Sequence, residues 1–540
     1  MPTGSARRWV RLWAGAAALV LIAVPSTGCA RGAGVAPLPS RAVTLDGDVV
    51  QTATGAVRGV VAPDHRLFEG IPYAAPPVGP LRWRPPQPPE SWQGVRDASE
   101  PGRWCVQEAG DNQPTGEDCL TLNVWTPTGT VPEPRSVMVW IHGGSFMQGS
   151  GDIYDARRLA VRGGIVVVTI NYRLGALGFL AEPALGEPGN YGLADQQAAL
   201  GWVRDNIAAF GGDAAKVTIA GESAGGMSVC DHLAAPDSGG LFRAGIIQSG
   251  PCQAQVDVPT AQRISRDYSA SAGCADRASA AACLRALPSG KFAKPLWYAR
   301  FGTDRLSGPV IGGQGLPKDP VQVITAGSAA RVPVLLGVNR DEFTLFEALR
   351  YLRVGRELTA GDYPPMLSDT FGPGNTAAVQ ERYPPGKYGG NASVAFATAA
   401  TDDIFACLAD RMADGLRDSS PGVYAYEFDD PHAPAPELFK HVPFSIGASH
   451  SLEMRYLFDL GGAPPLDVAQ RRLSDQMIDY WTRFVATGAP DVAGQPDWPA
   501  VGTDSGAAEW MSLRTSGSRA VTDFAVEHQC PFWASVRGNR

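Results

Sequence analysis

Histidine is scarce in this chain, with seven in 540 residues, so any imidazole chemistry rests on few candidates. No Cys-x-x-Cys pair and no Cys/His cluster has zinc-ligand spacing, so neither a metal site nor a cofactor is expected. Positive charge is also short. Lys and Arg number 46 against 54 Asp and Glu, which leaves a net charge of −8. That balance argues against a nucleic-acid partner. Internal repeats and heptads are missing, which excludes a solenoid or a coiled coil. No apolar run reaches the roughly 20 residues that a membrane-spanning helix needs. No linker divides the chain, although its length exceeds that of most single cores.

What is present is more specific. Gly221-Glu222-Ser223-Ala224-Gly225 is a G-x-S-x-G pentapeptide. The apolar, β-branched run Val217-Thr218-Ile219-Ala220 before it reads as a buried strand. The residues after it, Gly226 to Ala235, can continue as a helix. A strand that turns sharply into a helix at a serine is a nucleophile elbow. Glycines two before and two after the serine leave room for such a turn. The helix N-terminus behind it presents N–H groups to a developing negative charge.

The chain begins with a targeting pattern. Arg7, Arg8 and Arg11 precede the apolar run Leu12 to Val24, and Ser26-Thr27-Gly28-Cys29 follows. This reads as a signal peptide over 1–28 with a lipoprotein-like cleavage box, although Ser26 stands where leucine is usual. Cys29 would then be lipidated and would anchor the protein to a membrane. Residues 29–42, rich in Gly, Ala and Pro, read as a flexible tether. Residues 43–540 read as a single domain. Without Cys29, eight of the nine cysteines remain, an even number that suits disulfides in an exported chain. The expected location is outside the cytoplasm, as a cell-envelope lipoprotein or a secreted protein.

Beyond the tether, short apolar strands alternate with helical segments. Strands are expected at Val137–Ile141, Ile165–Ile170, Val217–Ala220, Ala244–Ile247, Val332–Leu336 and Val423–Phe428. A helix is expected over Leu193–Phe210, burying Leu193, Ala198, Leu200, Val203 and Ile207. This order predicts an α/β fold with a mostly parallel central sheet and helices on both faces. Ligands bind beyond the carboxyl ends of such strands.

A serine hydroxyl needs a base, usually a histidine oriented by a carboxylate. In hydrolases of this type the order along the chain is serine, acid, histidine. That sets aside His65 and His142, and His232 lies in the helix behind the elbow. His432, His441, His450 and His528 remain, and the small-residue loop around His450 favours it. The acid is Asp341 or Glu342, which directly follow a strand, and spacing does not choose between them. Such an imidazole would titrate near ~6–7. His142-Gly143-Gly144-Ser145, at the end of another strand, supplies N–H groups for an oxyanion hole, and the Ala224 N–H supplies one more.

These residues sit among longer motifs. Phe68-Glu69-Gly70-Ile71-Pro72-Tyr73-Ala74 with Leu81-Arg82-Trp83 is one, and Glu117-Asp118-Cys119-Leu120-Thr121-Leu122-Asn123 is another. Gly189 to Gln196 and Phe210-Gly211-Gly212-Asp213 lead to the elbow. Together they resemble the type B carboxylesterases, the family that includes the cholinesterases, from about Val43 to Trp533. The resemblance implies an α/β-hydrolase fold and hydrolysis of small carboxylic esters through an acyl-enzyme on Ser223. It implies Glu342 as the acid and His450, within G-x-x-H-x-x-E, as the base. Gly144, Ser145 and Ala224 would donate the oxyanion N–H groups. Ser145 stands where many members have a third glycine. Phe343 stands where glycine is usual and would narrow the space beside Glu342. The resemblance also implies the bridges Cys105–Cys119, Cys274–Cys283 and Cys407–Cys530. That leaves Cys230 and Cys252 to pair, since the elbow helix and the next strand can be neighbours.

Two other classes compete. The same triad could cleave thioesters, carbamates or amides, and the motifs do not discriminate among them. Some relatives have lost the triad and act as binding proteins, but here Ser223, Glu342 and His450 are all present. Neither the acyl and alcohol preference nor the oligomeric state is legible in the sequence.

Overall fold

The computed structural model describes residues 43–44, 47–108, 114–186, 188–301, 304–502 and 509–538. The signal segment, the tether and Cys29 lie outside the described residues, while Ala42–Arg540 forms one compact unit. Its central sheet starts antiparallel with β1 (Val60–Val61), β2 (His65–Pro72) and β3 (Thr121–Pro127). Seven parallel strands make up the middle: β4 (Arg135–Ile141), β5 (Val166–Ile170), β6 (Gly212–Glu222), β7 (Ala244–Gln248), β8 (Val334–Asn339), β9 (Val423–Phe428) and β10 (Trp510–Leu513). An antiparallel edge strand, β11 (Arg519–Val521), completes it. The spatial order is β11-β10-β9-β8-β7-β6-β4-β5-β3-β2-β1.

Burial explains why the middle strands are unbroken apolar runs. Every residue of β5, β7 and β8 is buried, because helices cover both faces. Side chains of β4 alternate between two cores. Val137, Val139 and Ile141 join one, whereas Met138 and Trp140 join the other. The first core is shared with α1 (Tyr191–Asn206) and α2 (Ala224–Ala234), and farther along the chain come α3 (Thr344–Val354) and α4 (Cys407–Arg417). The second core is shared with α5 (Val468–Thr487), which contributes Ile478, Trp481 and Val485. Asp467 and Gln470 form a reciprocal capping box at the start of α5.

The parallel register places the functional edge. Ile141 lies opposite Gly221, Glu222 opposite Gln248, and Gln248 opposite Gly337. The carboxyl ends of β4, β6, β7 and β8 therefore finish side by side.

Some boundaries differ from the sequence reading. The elbow strand is longer than Val217–Ala220 and includes a register irregularity between Arg135 and Val137 on its neighbour. The helix expected over Leu193–Phe210 starts at Tyr191, and its last turn, Ile207–Phe210, tightens to a 3-10 helix. Ala198 is only half-buried and Ala199 takes the core position, because Ala199 lies in phase with Leu200 and Val203 on the buried stripe.

All four cysteine pairs are bridged as expected. Their Cα separations are 5.0 Å for Cys105–Cys119, 6.2 Å for Cys230–Cys252, 5.7 Å for Cys274–Cys283 and 5.1 Å for Cys407–Cys530. The segment Ala392–Arg417 is long and apolar enough to cross a membrane by length and composition, but its apolar window is 89% buried in this protein's own core. A π-helical turn, Thr401–Ala406, interrupts it. Such turns re-aim side chains and recur near functional sites.

Candidate active site

Ser223 stands alone between β6 and α2, with φ 57° and ψ −120°. A side chain at positive φ is strained. The strain is held by packing on both sides of the serine. The Ser223 N–H donates to the Gln248 carbonyl at 2.9 Å, and Met227 N–H donates to the Ser223 carbonyl at 2.9 Å. The glycines are required by contact. A Cβ on Gly225 would strike the Ile141 carbonyl, and one on Gly221 would strike the Gly225 backbone. Gly143 is likewise tight against the elbow, where a Cβ would lie 2.7 Å from the Glu222 carbonyl and 3.1 Å from Ser223 Cβ.

The turn after β4 has three consecutive residues at positive φ: Gly144 (96°), Ser145 (56°) and Phe146 (57°). Met147 N–H and Gln148 N–H both donate to the Gly144 carbonyl, Ser307 N–H donates to that of Ser145, and Gly175 N–H to that of Phe146. Its carbonyls are tied back, and Ser145 lines the same cavity as Ser223. The N–H groups of Gly144 and Ser145 make no hydrogen bond among the described residues. Ala224 is the first residue of α2, so its N–H has no acceptor within the helix. Ser145 and Ala224 line one cavity with Ser223, and Gly144 adjoins it in the same turn, so three N–H groups without an acceptor among the described residues lie in the segments beside the serine.

Of the four open histidines, His450 alone is brought to this edge. His432 and His441 are exposed. His528 is buried elsewhere, between Asp402 (2.6 Å) and Glu427 (2.8 Å). His232 bonds Gln196 and Ser238 inside the core. His142 is buried against Tyr172, and burial holds its imidazole down at about 4.

The two adjacent carboxylates separate cleanly. Glu342 Oε2 lies 2.5 Å from His450 Nδ1, and its Oε1 accepts the Asn339 N–H at 2.8 Å. Asp341 instead clamps the histidine loop by accepting the Ala448 N–H at 2.9 Å. Gly447, at φ 57°, packs against the Asp341 carboxylate with no room for a Cβ.

Two further carboxylates complete the cluster, and the sequence reading assigned neither a role. Glu222 Oε1 is 3.1 Å from His450 Nε2 and accepts the Ser451 hydroxyl at 2.5 Å. Glu453 is held by Asn339 at 2.6 Å and Gln248 at 3.1 Å. Both are buried, and burial raises both carboxyls, Glu453 to about 8. Burial alone would depress His450. The charges of Glu222 and Glu342, with the Glu342 hydrogen bond, outweigh it and lift the ring to about 9. The near-neutral titration expected from the sequence is displaced because that reading counted one carboxylate where three surround the ring. An acidic residue directly before the elbow serine was the signal to follow.

Ser223 opens onto a cavity of about 40 Å³. Ser145, Ala224, Met227, Leu306, Phe343, Phe346 and Phe405 are among its walls. Phe343, at the position where glycine is usual, is one of these walls and packs on Phe346 at 4.9 Å. Phe346 and Phe405 also flank the His450 ring at 5.1 and 5.3 Å. Phe405 comes from the π-helical turn, whose Thr401 hydroxyl accepts the Phe343 N–H at 2.9 Å.

Residues 46–533 match the model of the carboxylesterase family. The chain belongs to that family. As a carboxylesterase it is 35% identical to the acylcarnitine hydrolase of Mus musculus, over 81% of this chain and 82% of that protein. It is 35% identical to the fumonisin B1 esterase of Sphingopyxis macrogoltabida, over 86% and 87% of the two chains. Among solved structures, PNB esterase superposes with a TM-score of 0.77 at 32% identity, covering 90% of this carboxylesterase and 99% of that chain. The α/β-hydrolase fold and carboxylic ester hydrolysis follow from these likenesses.

Proposed function

We propose that Ser223, His450 and Glu342 form the triad of this ester hydrolase. Ser223 Oγ attacks the ester carbonyl while His450 Nε2 takes its proton. The N–H groups of Gly144, Ser145 and Ala224 stabilise the oxyanion. The C–O bond to the alcohol then breaks, and the alkoxide leaves with the proton from His450. Water repeats the cycle on the acyl-enzyme and releases the acid. Glu342 fixes the ring orientation and offsets its positive charge. The single observation that carries this reading is the His450 ring. Its Nδ1 is bound to Glu342, while its Nε2 makes no hydrogen bond among the described residues and lies 3.1 Å from the carboxylate of Glu222, the residue directly before Ser223. The narrow apolar cavity supports small or slender apolar groups at the reacting carbon.

A fluorophosphonate probe tests the assignment. Attack by Ser223 displaces fluoride and forms a phosphonyl ester, so one labelled peptide containing Ser223 is expected. A label on any other residue would overturn it.

We also propose that the protein is exported and anchored by a lipid on Cys29. Four disulfides support an oxidising compartment. Mass spectrometry of the mature N-terminus tests this proposal. A diacylglyceryl group on Cys29 is expected, and an unmodified start beyond Cys29 would leave simple secretion.

A further inference from the structure

The small cavity at Ser223 adjoins a wider one of about 220 Å³, and Ser145 and Arg305 line both. The wider cavity has apolar walls from Met147, Trp297 and Leu349. It also has two guanidinium groups. Arg305 comes from the hairpin of Ala299–Phe301 with Asp304–Leu306, and Arg353 comes from the last turn of α3. Glu108 is the one carboxylate on the wall, and all three charged residues are exposed.

Neighbouring arginines are engaged elsewhere. Arg350 pairs with Glu347, Arg356 with Asp362, and Arg300 with Asp369. The side chains of Arg305 and Arg353 form no ion pair or hydrogen bond among the described residues, although the charge of Arg353 also acts on Glu347. Arg305 and Arg353 thus line the cavity next to the catalytic serine with their guanidinium groups unpaired. A guanidinium presents a planar fork of donors that matches a carboxylate. Two of them against one carboxylate leave the wider cavity net positive, while the cavity at Ser223 is apolar.

We propose that the preferred esters of this enzyme carry a carboxylate on the arm that lies outside the narrow cavity, and that Arg305 and Arg353 hold it. This rests on Ser223 as the nucleophile. One arm of the ester, apolar and slender, enters between Phe343, Phe346 and Phe405. The other passes Ser145, lays its methylenes on Trp297 and Leu349, and ends in the charged group. Glu108, also on the wall, would repel that carboxylate, so it restricts where the anion can sit.

The test compares matched esters on each arm. On the acyl arm, the 4-nitrophenyl monoester of adipic acid is set against 4-nitrophenyl heptanoate. On the alcohol arm, the butyrate of 6-hydroxyhexanoate is set against heptyl butyrate. For one arm, wild-type kcat/KM is expected to favour the anionic ester by about tenfold. In Arg305→Gln/Arg353→Gln the ratio should fall to near one. In Arg305→Glu/Arg353→Glu it should drop below one. Both side chains are exposed, so these variants should fold, and the ratio within each variant cancels losses common to both esters. No anionic preference on either arm, or the same preference in the double glutamine variant, would overturn the proposal. Ser223→Ala reads the underlying assignment separately. If it still hydrolysed the neutral esters, the nucleophile would be wrong, while the arginine ratio would stand or fall on its own.

Discussion

Glu222 and Glu342 grip opposite edges of one imidazole, with Glu222 Oε1 3.1 Å from His450 Nε2 and Glu342 Oε2 2.5 Å from Nδ1. Both carboxylates favour the protonated ring, yet a general base must be neutral to work. The acid limb of the activity profile therefore depends on Glu222 as much as on Glu342. Replacing Glu222 with Gln removes a negative charge from the Nε2 edge. The imidazolium loses stabilisation, the His450 pKa falls from its raised value near 9, and activity should persist to lower pH. A neighbouring charge at this range is worth about 1–3 pKa units. Profiles of kcat/KM against pH check this, and an acid limb that stayed put or moved upward would remove Glu222 from the account.

Ser223 couples reactivity to backbone strain. Ser223→Ala should cut ester turnover by roughly 10⁴–10⁶-fold, as loss of a triad serine does. Ser223→Gly should be equally inactive, but it relieves the positive φ of 57°. It should therefore be more stable than the alanine variant by about 1–2 kcal/mol. Chemical unfolding of the two variants measures that difference. Equal stabilities would show that the elbow is not strained at this residue.

The neighbouring acids should respond very differently. Glu342→Gln removes the negative charge beside His450 and lets an amide N–H face Nδ1, which favours the wrong tautomer, so about 10³–10⁴-fold in kcat is expected to be lost. Asp341→Asn leaves the Glu342–His450 bond in place. It weakens the clamp on Ala448 N–H, so a loss of about tenfold or less is expected. Steady-state kinetics decide the matter, and a larger loss at Asp341 would reverse the two roles.

Much of this architecture was legible because it is local. The turn at Ser223 is written in adjacent residues: glycines where backbone contacts leave no room for a Cβ, and a β-branched run before them. The middle strands were legible as apolar runs, because burial on both faces removes polar residues from them. Three of the cysteine pairs were legible through the family resemblance, and Cys230 with Cys252 as the pair that remained. What the sequence hid is assembled over long distances. Glu222 looked like the free position of a motif, and only the fold brings Ser451 and His450 against it. Arg305 and Arg353 come from separate elements. Spacing left His528 open as a base, since a histidine near the chain's end carries no mark of the carboxylates that will surround it. Ala198 was misplaced by one position, because small residues on both sides of a helical stripe blur its edge.

The disulfides should contribute unequally. Cys407–Cys530 spans 123 residues and Cys274–Cys283 spans 9. In the chain-entropy model the long bridge contributes about 5 kcal/mol and the short one about 2.5 kcal/mol. Alanine pairs at each site, compared by chemical unfolding, should differ in that order. A larger loss from the short bridge would mean that local packing, not chain entropy, sets its contribution.

His528 should act as a stabilising cation deep in the fold. Its ring is buried between Asp402 and Glu427, and Tyr383 donates its hydroxyl to the other Asp402 oxygen at 2.7 Å. Burial opposes its charge, but the two carboxylates prevail and raise it to about 10 from an ordinary 6.5. The sign of the linkage follows. A histidine whose folded pKa is raised contributes its full stability below the unfolded value, near pH 6.5, and loses it as pH rises through about 10. Replacing His528 with Gln leaves two buried carboxylates without a cation, which costs about 3–5 kcal/mol when one partner of a buried pair is removed. The gap between wild type and His528→Gln should thus be widest at pH 6 and shrink steadily toward pH 10. Unfolding midpoints of both proteins across that range give the answer. A gap that stayed constant with pH would show that the ring is neutral and merely fills space.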